Sequence, residues 1–152
     1  MVIQAFKSLY NLRKLTLNSC MLDVTLLEEL KEALMDTESL LALNLYSNDI
    51  NAEGAQLISQ MLANKTNLKT LGLSNNMIGH GGARELAGSL KGLNNLQQLA
   101  LESNLIGNIG LSSISNALMN NESLQELFLY NNDIDDEILP EFSRMLANKP
   151  RL

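Results

Sequence analysis

Cysteine, histidine and tryptophan are almost missing from this chain, and each shortage closes off a class of answers. Cys20 is the only cysteine, so no internal disulfide can form and an oxidising compartment gains no support. His80 is the only histidine, which leaves neither a two-histidine zinc site nor the cysteine and histidine set such a site needs. Aromatic residues make up 4% of the chain and tryptophan is absent, while hydrophobic residues make up 45%. That balance suits many small aliphatic layers rather than one core built on large rings. Positive charge is also short: the net charge is −6 and the pI about 4.7, a balance that repels a nucleic-acid phosphate backbone. No run approaches the ~18 apolar residues of a membrane span. Met1 to Lys7 lacks the basic start, apolar run and cleavage site of a signal peptide. The expectation is a cytoplasmic protein that binds neither membrane nor nucleic acid.

What the chain has in abundance is leucine in register. Leu68 to Ile78 reads LxxLxLxxNxI, and the same frame starts at Leu12, Leu40, Leu68, Leu96 and Leu124, 28 residues apart without insertion or deletion. A fixed period with this internal pattern is the signature of a leucine-rich-repeat solenoid, in which each unit contacts only its neighbours. Residues 12–152 therefore divide into five units, with Leu152 standing where a sixth would open. Val2 and Phe6 precede Leu30 and Leu34 by 28 residues, so residues 1–11 read as the end of a preceding helix. The whole chain is one repeat domain with uncapped ends, and such ends predict a fragment of a longer array or self-association.

Within each unit the hydrophobic period changes. Leu15 and Leu17 alternate as in a short strand with an inward face. Leu26, Leu27, Leu30 and Leu34 follow at helical spacing. Asp23, Asn51, Gly79, Gly107 and Asp135 share one column at the helix entrance, all of them accepted N-cap types. Asp36, Asn64, Gly92, Asn120 and Asn148 share the column at the exit, where Asn and Gly suggest a left-handed closing residue. Each unit is thus one strand, a turn and a helix of about three turns. Strands stack about 4.8 Å apart and helices about 8–10 Å apart, so the stack must fan open. The predicted product is an α/β arc, a right-handed coil with a parallel sheet on its concave face and helices on its convex face.

These residues resemble the ribonuclease-inhibitor-like subfamily of leucine-rich repeats. Its characteristic strand-to-helix junction, in which a Gly-Ala pair opens the helix, is similar to Gly54-Ala55 and Gly82-Ala83. The first and fifth units depart from it with Leu26-Leu27 and Ile138-Leu139. Similar arrays occur in NOD-like innate immune receptors, Ran GTPase-activating proteins, tropomodulin-type actin regulators and bacterial effectors, and the repeats look closest to those of NOD-like receptors. The resemblance implies a protein-binding module with no enzymatic activity and no cofactor. It also implies a structural role for the column Cys20, Asn48, Asn76, Asn104 and Asn132, whose side chains bond backbone groups that a sharp turn leaves unpaired.

Side chains between the strand leucines face outward and have no core to fill. Exposed rings supply large contact areas at modest ordering cost. Tyr46, Tyr130 and Phe128 are therefore the leading contact candidates, with Glu102 and Glu126 as charged companions. Arg13, Lys14 and Lys69 lie early on this face and the two glutamates late, a gradient that a polarised partner could read. Asp133, Asp135, Asp136 and Glu137 form the densest acidic run but lack the ligand order of a calcium loop. Gly79-His80-Gly81-Gly82 is followed by no Lys-Ser/Thr pair and is no phosphate loop. The expected function is a protein–protein interaction module that binds a partner through the concave face. The alternatives are a regulatory accessory to an enzyme, of the GTPase-activating kind, and a purely structural scaffold.

Overall fold

The computed structural model describes residues 11–152, so nearly all of the partial repeat expected over 1–11 lies outside the described residues. Among the described residues five short strands alternate with five α-helices. They are β1 (Lys14–Thr16), α1 (Val24–Leu34), β2 (Ala42–Asn44), α2 (Ala52–Leu62), β3 (Thr70–Gly72), α3 (Gly79–Leu90), β4 (Gln98–Ala100), α4 (Gly107–Leu118), β5 (Glu126–Phe128) and α5 (Leu139–Leu146). The strands form one parallel sheet in the order β1-β2-β3-β4-β5. Its register follows the repeat period, pairing Leu15 with Leu43, Leu43 with Leu71, Leu71 with Leu99 and Leu99 with Leu127. Among the described residues each helix packs on the helices of adjacent units and not on more distant ones. The chain is an α/β solenoid.

Strand alternation sends one leucine set inward and leaves the other positions out. Leu43, Leu45, Leu71, Leu73, Leu99 and Leu101 are fully buried, and Leu127 and Leu129 in the fifth unit are only half-buried. Helix residues meet them from the other side: Leu30, Leu34, Ile58, Leu62, Leu86, Leu90, Ile114 and Leu118 are buried in the same cluster. Burying a leucine side chain stabilises by about 1.5–3 kcal/mol, and here the gain repeats once per layer.

The glycine column explains how closely the helices stack. A Cβ built on Gly82 would lie 2.8 Å from Ile78 Cγ2, 2.9 Å from Ala55 Cβ and 3.1 Å from Ala52 Cα. Gly110 is tighter still against Ile106 Cγ2, at 2.5 Å. Glycine at this position lets each helix start come against the previous helix backbone. The fifth unit has Ile138 there, and its helix opens with a 3-10 turn (Asp136–Ile138) and runs only eight residues as α5. The departure seen in sequence at Ile138-Leu139 is thus a shorter, displaced helix.

Two expectations about helix ends need correction. Asp23 and Asn51 do cap their helices, accepting from Leu26 N at 2.8 Å and Gly54 N at 3.0 Å. Gly79 and Gly107 share their column but not their geometry. Both sit at φ near +60°, have no side chain to cap with, and donate their N–H to Asn104 O and Asn132 O of the next unit, each at 2.8 Å. Asp135 accepts from Glu137 N at 3.0 Å, and so caps the 3-10 turn rather than α5.

At the exits, Asp36, Asn64, Gly92, Asn120 and Asn148 are not left-handed. The chain instead tightens into an i→i−3 turn, as in Lys65 N to Leu62 O at 3.0 Å and Leu93 N to Leu90 O at 3.1 Å. In the second and fifth units the residue that follows also reaches back to the helix end of the previous unit. Lys65 is fully buried and donates to Met35 O at 3.1 Å. Lys149 donates to Leu118 O at 2.7 Å and Met119 O at 3.1 Å. An ammonium on the exposed carbonyls of a helix C-terminus also meets the negative end of its dipole. Burial holds both lysines below the ordinary value of 10.5, with the attraction of Asp36 on Lys65 and of Glu122 on Lys149 acting the other way.

Candidate partner-binding face

The outward face of the sheet is built by what stands behind it. Directly after each strand the backbone turns sharply, and Ser19, Ser47, Asn75, Ser103 and Asn131 take φ of 53–58°. Four asparagines bridge the groups this turn leaves unpaired. Asn76 Oδ1 accepts from Asn48 N at 2.9 Å and Ile50 N at 3.0 Å, both in the preceding unit. Its Nδ2 donates to Leu45 O at 3.1 Å in that unit and to Leu73 O at 2.8 Å in its own. Asn48, Asn104 and Asn132 repeat the pattern, reaching Leu17 O, Leu73 O and Leu101 O. Each bridge satisfies buried backbone groups whose loss would cost about 1–3 kcal/mol apiece, and each fixes one unit on the last.

Cys20 takes the first place in that column but not the same role. Its thiol is exposed and donates to Asn18 O at 3.3 Å, while its backbone N–H goes to Asn48 Oδ1 at 2.8 Å. It receives the ladder without extending it. His80, on the first turn of α3, is exposed two units away, so the structure does not bring the two together.

Across the sheet the candidate contact residues occupy two ends. Tyr46 is 45% exposed, Phe128 37% and Tyr130 70%. Tyr46 follows β2, and its N–H is held by Asn18 Oδ1 at 3.1 Å and Asn44 Oδ1 at 3.2 Å. Phe128 ends the edge strand β5, and Tyr130 follows it. Three strand spacings separate Tyr46 from Tyr130, roughly 14 Å. Between them lie Gly72, Ser74 and Ala100, with the Glu102 carboxylate between Ser74 and Tyr130. Gly72 leaves room for the Asn44 amide, whose Oδ1 would lie 2.8 Å from a Cβ there, and Ser74 and Ala100 continue the floor. The result is a shallow trough with an aromatic wall at either side.

Glu102 and Glu126 are engaged within the sheet. Ser74 Oγ donates to Glu102 Oε2, and Gln98 Nε2 donates to Glu126 Oε2. Each pair spans adjacent strands at the same register, which orients the carboxylates along the face. One column further on, Asn75 and Asn131 donate to Ser47 Oγ and Ser103 Oγ at 3.2 and 3.0 Å. Asp135 stands off this face on the loop into the last helix. Its carboxyl is held below the usual carboxylate value by the Asn108 amide and the Glu137 backbone N–H.

The loops between strand and helix, and the first turn of α4, carry side chains that the sequence pattern did not single out. Met21, Met77, Leu105 and Ile109 are 82%, 51%, 59% and 69% exposed. Met21 and Leu105 are left-handed, with φ of 52° and 57°, in a region where a large side chain is uncommon. The only sequence signal was their place one residue after the asparagine column, where Asp49 and Asp133 alternate with them.

Comparison with known proteins bears on this architecture. The family described as Leucine Rich repeat matches residues 38–59, 64–87 and 92–115, and a second profile, Leucine Rich Repeat, matches 123–145. Together they cover more than half of the chain. A search of curated protein sequences gave no match. Among solved structures, the tropomodulin C-terminal domain of Caenorhabditis elegans superposes with a TM-score of 0.77 at 15% identity, over 97% of this chain and 93% of that one. Leiomodin-1 Actin-Binding Site 2 superposes with a TM-score of 0.70 at 18% identity, over 95% and 87%. At such identities the likeness is one of fold.

Proposed function

Because the chain belongs to the leucine-rich-repeat family, we propose that it is a non-enzymatic protein-binding module that holds its partner on the concave sheet, in the trough between Tyr46 and Tyr130. The observation that carries this reading is the pair of exposed aromatics on either side of Gly72, Ser74, Ala100 and the Glu102 carboxylate. Packing within the repeat does not require those rings. Tyrosine offers an apolar body and a hydroxyl on only two side-chain torsions, so a partner gains contact area with little ordering cost. The ladder beneath holds the strands in one register before any partner arrives, which reduces that cost further.

The Gly-Ala junctions at Gly54-Ala55 and Gly82-Ala83 support placing these repeats in the ribonuclease-inhibitor-like subfamily, with repeats similar to those of NOD-like receptors. A lone cysteine and an acidic surface suit a cytoplasmic setting. Among the described residues no helix is long and apolar enough to cross a membrane.

Actin is the first partner to test, since one structure of the same fold is named as an actin-binding site. Cosedimentation with filamentous actin and native gels with monomeric actin, alongside affinity capture from lysate, would be run for the wild type and for Tyr46→Ala/Tyr130→Ala. Loss of a reproducible partner in the variant supports the reading, whether or not that partner is actin. Capture that is unchanged in the variant removes the trough from the proposal.

A further inference from the structure

The rim formed by the loops that lead from strand into helix combines apolar exposure with charge of a single sign. Its five loops carry Asp23, Asp49, Asp133 and Asp135 and no Lys or Arg, the helix starts that follow add Glu53, Asp136 and Glu137, and Arg84 comes in the second turn of α3. The opposite rim mixes both signs, with Lys69, Lys91 and Arg151 beside Asp36, Glu38 and Glu122. One cleft opens on the acidic rim, and a second opens just beyond it on the helical side, across α3, the start of α4 and the 3-10 turn. Near the first units, a cleft of about 390 Å³ has Leu22, Leu27 and Ile50 in its floor, with Asp23 and Asp49 exposed on its lips. Near the last, a cleft of about 510 Å³ lies over Ile138 and beside exposed Ile109, with Glu137 on one side and Arg84 on the helix side. Met77 and Leu105, each more than half exposed, stand between the two.

We propose that this rim is a docking strip for a basic amphipathic segment of a partner protein. Its apolar side chains would seat in the clefts and on Met77 and Leu105, and its Lys and Arg would meet the flanking carboxylates. Charge selects this occupant: nucleic acid and anionic lipid share the sign of the rim and are repelled, whereas a basic segment is drawn to it. The dimensions fit as well. Four steps between units, each between a strand spacing and a helix spacing, span roughly 20–40 Å, the length of a helix of about 13–27 residues. Helix-in-groove recognition uses apolar anchors spaced by one turn in the same way. The strip lies off the concave trough, so the inference stands apart from the reading above.

The test is fluorescence anisotropy with a labelled helical probe of about twenty residues, leucines on one face and lysines on the other. A scrambled peptide of the same composition and an all-glutamate version serve as controls. The wild-type chain is expected to bind the probe in a salt-dependent manner, to bind the scrambled peptide on the order of tenfold more weakly, and to ignore the glutamate version. Leu105→Asn/Ile109→Asn should weaken probe binding about tenfold while thermal melts show an intact fold, since Asn accepts the left-handed conformation at position 105. Asp49→Asn/Asp133→Asn should flatten the salt dependence, and Tyr46→Ala/Tyr130→Ala should leave binding unchanged. The proposal is overturned by equal binding of the scrambled peptide, by full binding in the Leu105→Asn/Ile109→Asn variant, or by loss in the tyrosine variant alone. Self-association of the free chain that Leu105→Asn abolishes would assign the strip to a second copy and overturn it too.

Discussion

Replacing Gly82 by alanine and Gly88 by alanine should move stability in opposite directions, although both residues lie in the same helix. Helix propensity alone favours alanine over glycine by about 1 kcal/mol at either place. At Gly88, which is exposed, the nearest atom to a new Cβ is Ser59 Oγ at 3.8 Å, so the propensity gain is realised in full. At Gly82 the methyl would fall 2.8 Å from Ile78 Cγ2, 2.9 Å from Ala55 Cβ and 3.1 Å from Ala52 Cα. Ile78 is buried and cannot swing clear, and the two alanine atoms move only with α2 itself. Relief therefore requires α3 to withdraw from α2, which loosens contacts along the helix pair. Overpacking of this kind costs about 1–3 kcal/mol, so after the propensity gain Gly82→Ala should destabilise by about 1 kcal/mol, within a range of about 0–2 kcal/mol. Gly88→Ala should stabilise by about 0.5–1 kcal/mol. Urea unfolding followed by circular dichroism gives both numbers from the midpoints. If Gly82→Ala unfolds at the same or higher urea than wild type, the close approach of the helices is not what this glycine serves.

Other substitutions probe separate links. Asn76→Ala strips partners from Asn48 N, Ile50 N, Leu45 O and Leu73 O together, and should lower stability by about 3–5 kcal/mol. Amide exchange should then show the loss spreading from the second and third units. Ser115 is fully buried with no hydrogen-bond partner for its hydroxyl, so Ser115→Ala should raise stability by about 1 kcal/mol; a midpoint that falls instead would indicate a partner for that oxygen. The buried lysines give a pH signature. With the folded value below the ordinary 10.5, the unfolded chain holds more protons in the interval between the two values. Stability should therefore rise with pH across that interval, up to 10.5. Urea midpoints measured over this range should rise for wild type relative to Lys65→Met/Lys149→Met as pH rises, and parallel curves would contradict the burial.

The solenoid was legible because one period governs every layer. Leu71 and Leu73 can alternate inward only in a strand, and Leu86 and Leu90 can share a face only in a helix. The 28-residue frame then leaves parallel stacking as the one arrangement that aligns them. Helix exits were less legible, because residue type reports what a backbone can do rather than what its neighbours require. Asn64 can adopt a left-handed conformation, yet Lys65 beside it is drawn back over Met35 O and keeps the chain right-handed. A buried lysine at that position has no signal in its own unit, since its partner lies in the one before. The outward alternation of Tyr46 and Tyr130 could be counted along the strands. The apolar rim could not, because Met21 and Leu105 are exposed through left-handed turns that no hydrophobic period encodes.

The most direct test of the account is the affinity of a captured partner for the wild-type chain and for two variants, one altered in the trough and one on its far side. Isothermal titration calorimetry with Tyr46→Ala/Tyr130→Ala and with a convex-face control, Glu29→Gln on the exposed side of α1, gives that comparison. The account predicts that truncating the two rings weakens binding by about 2 kcal/mol or more, roughly thirtyfold, with the control unchanged. Equal affinities for all three chains would contradict it and move the binding surface off the concave sheet.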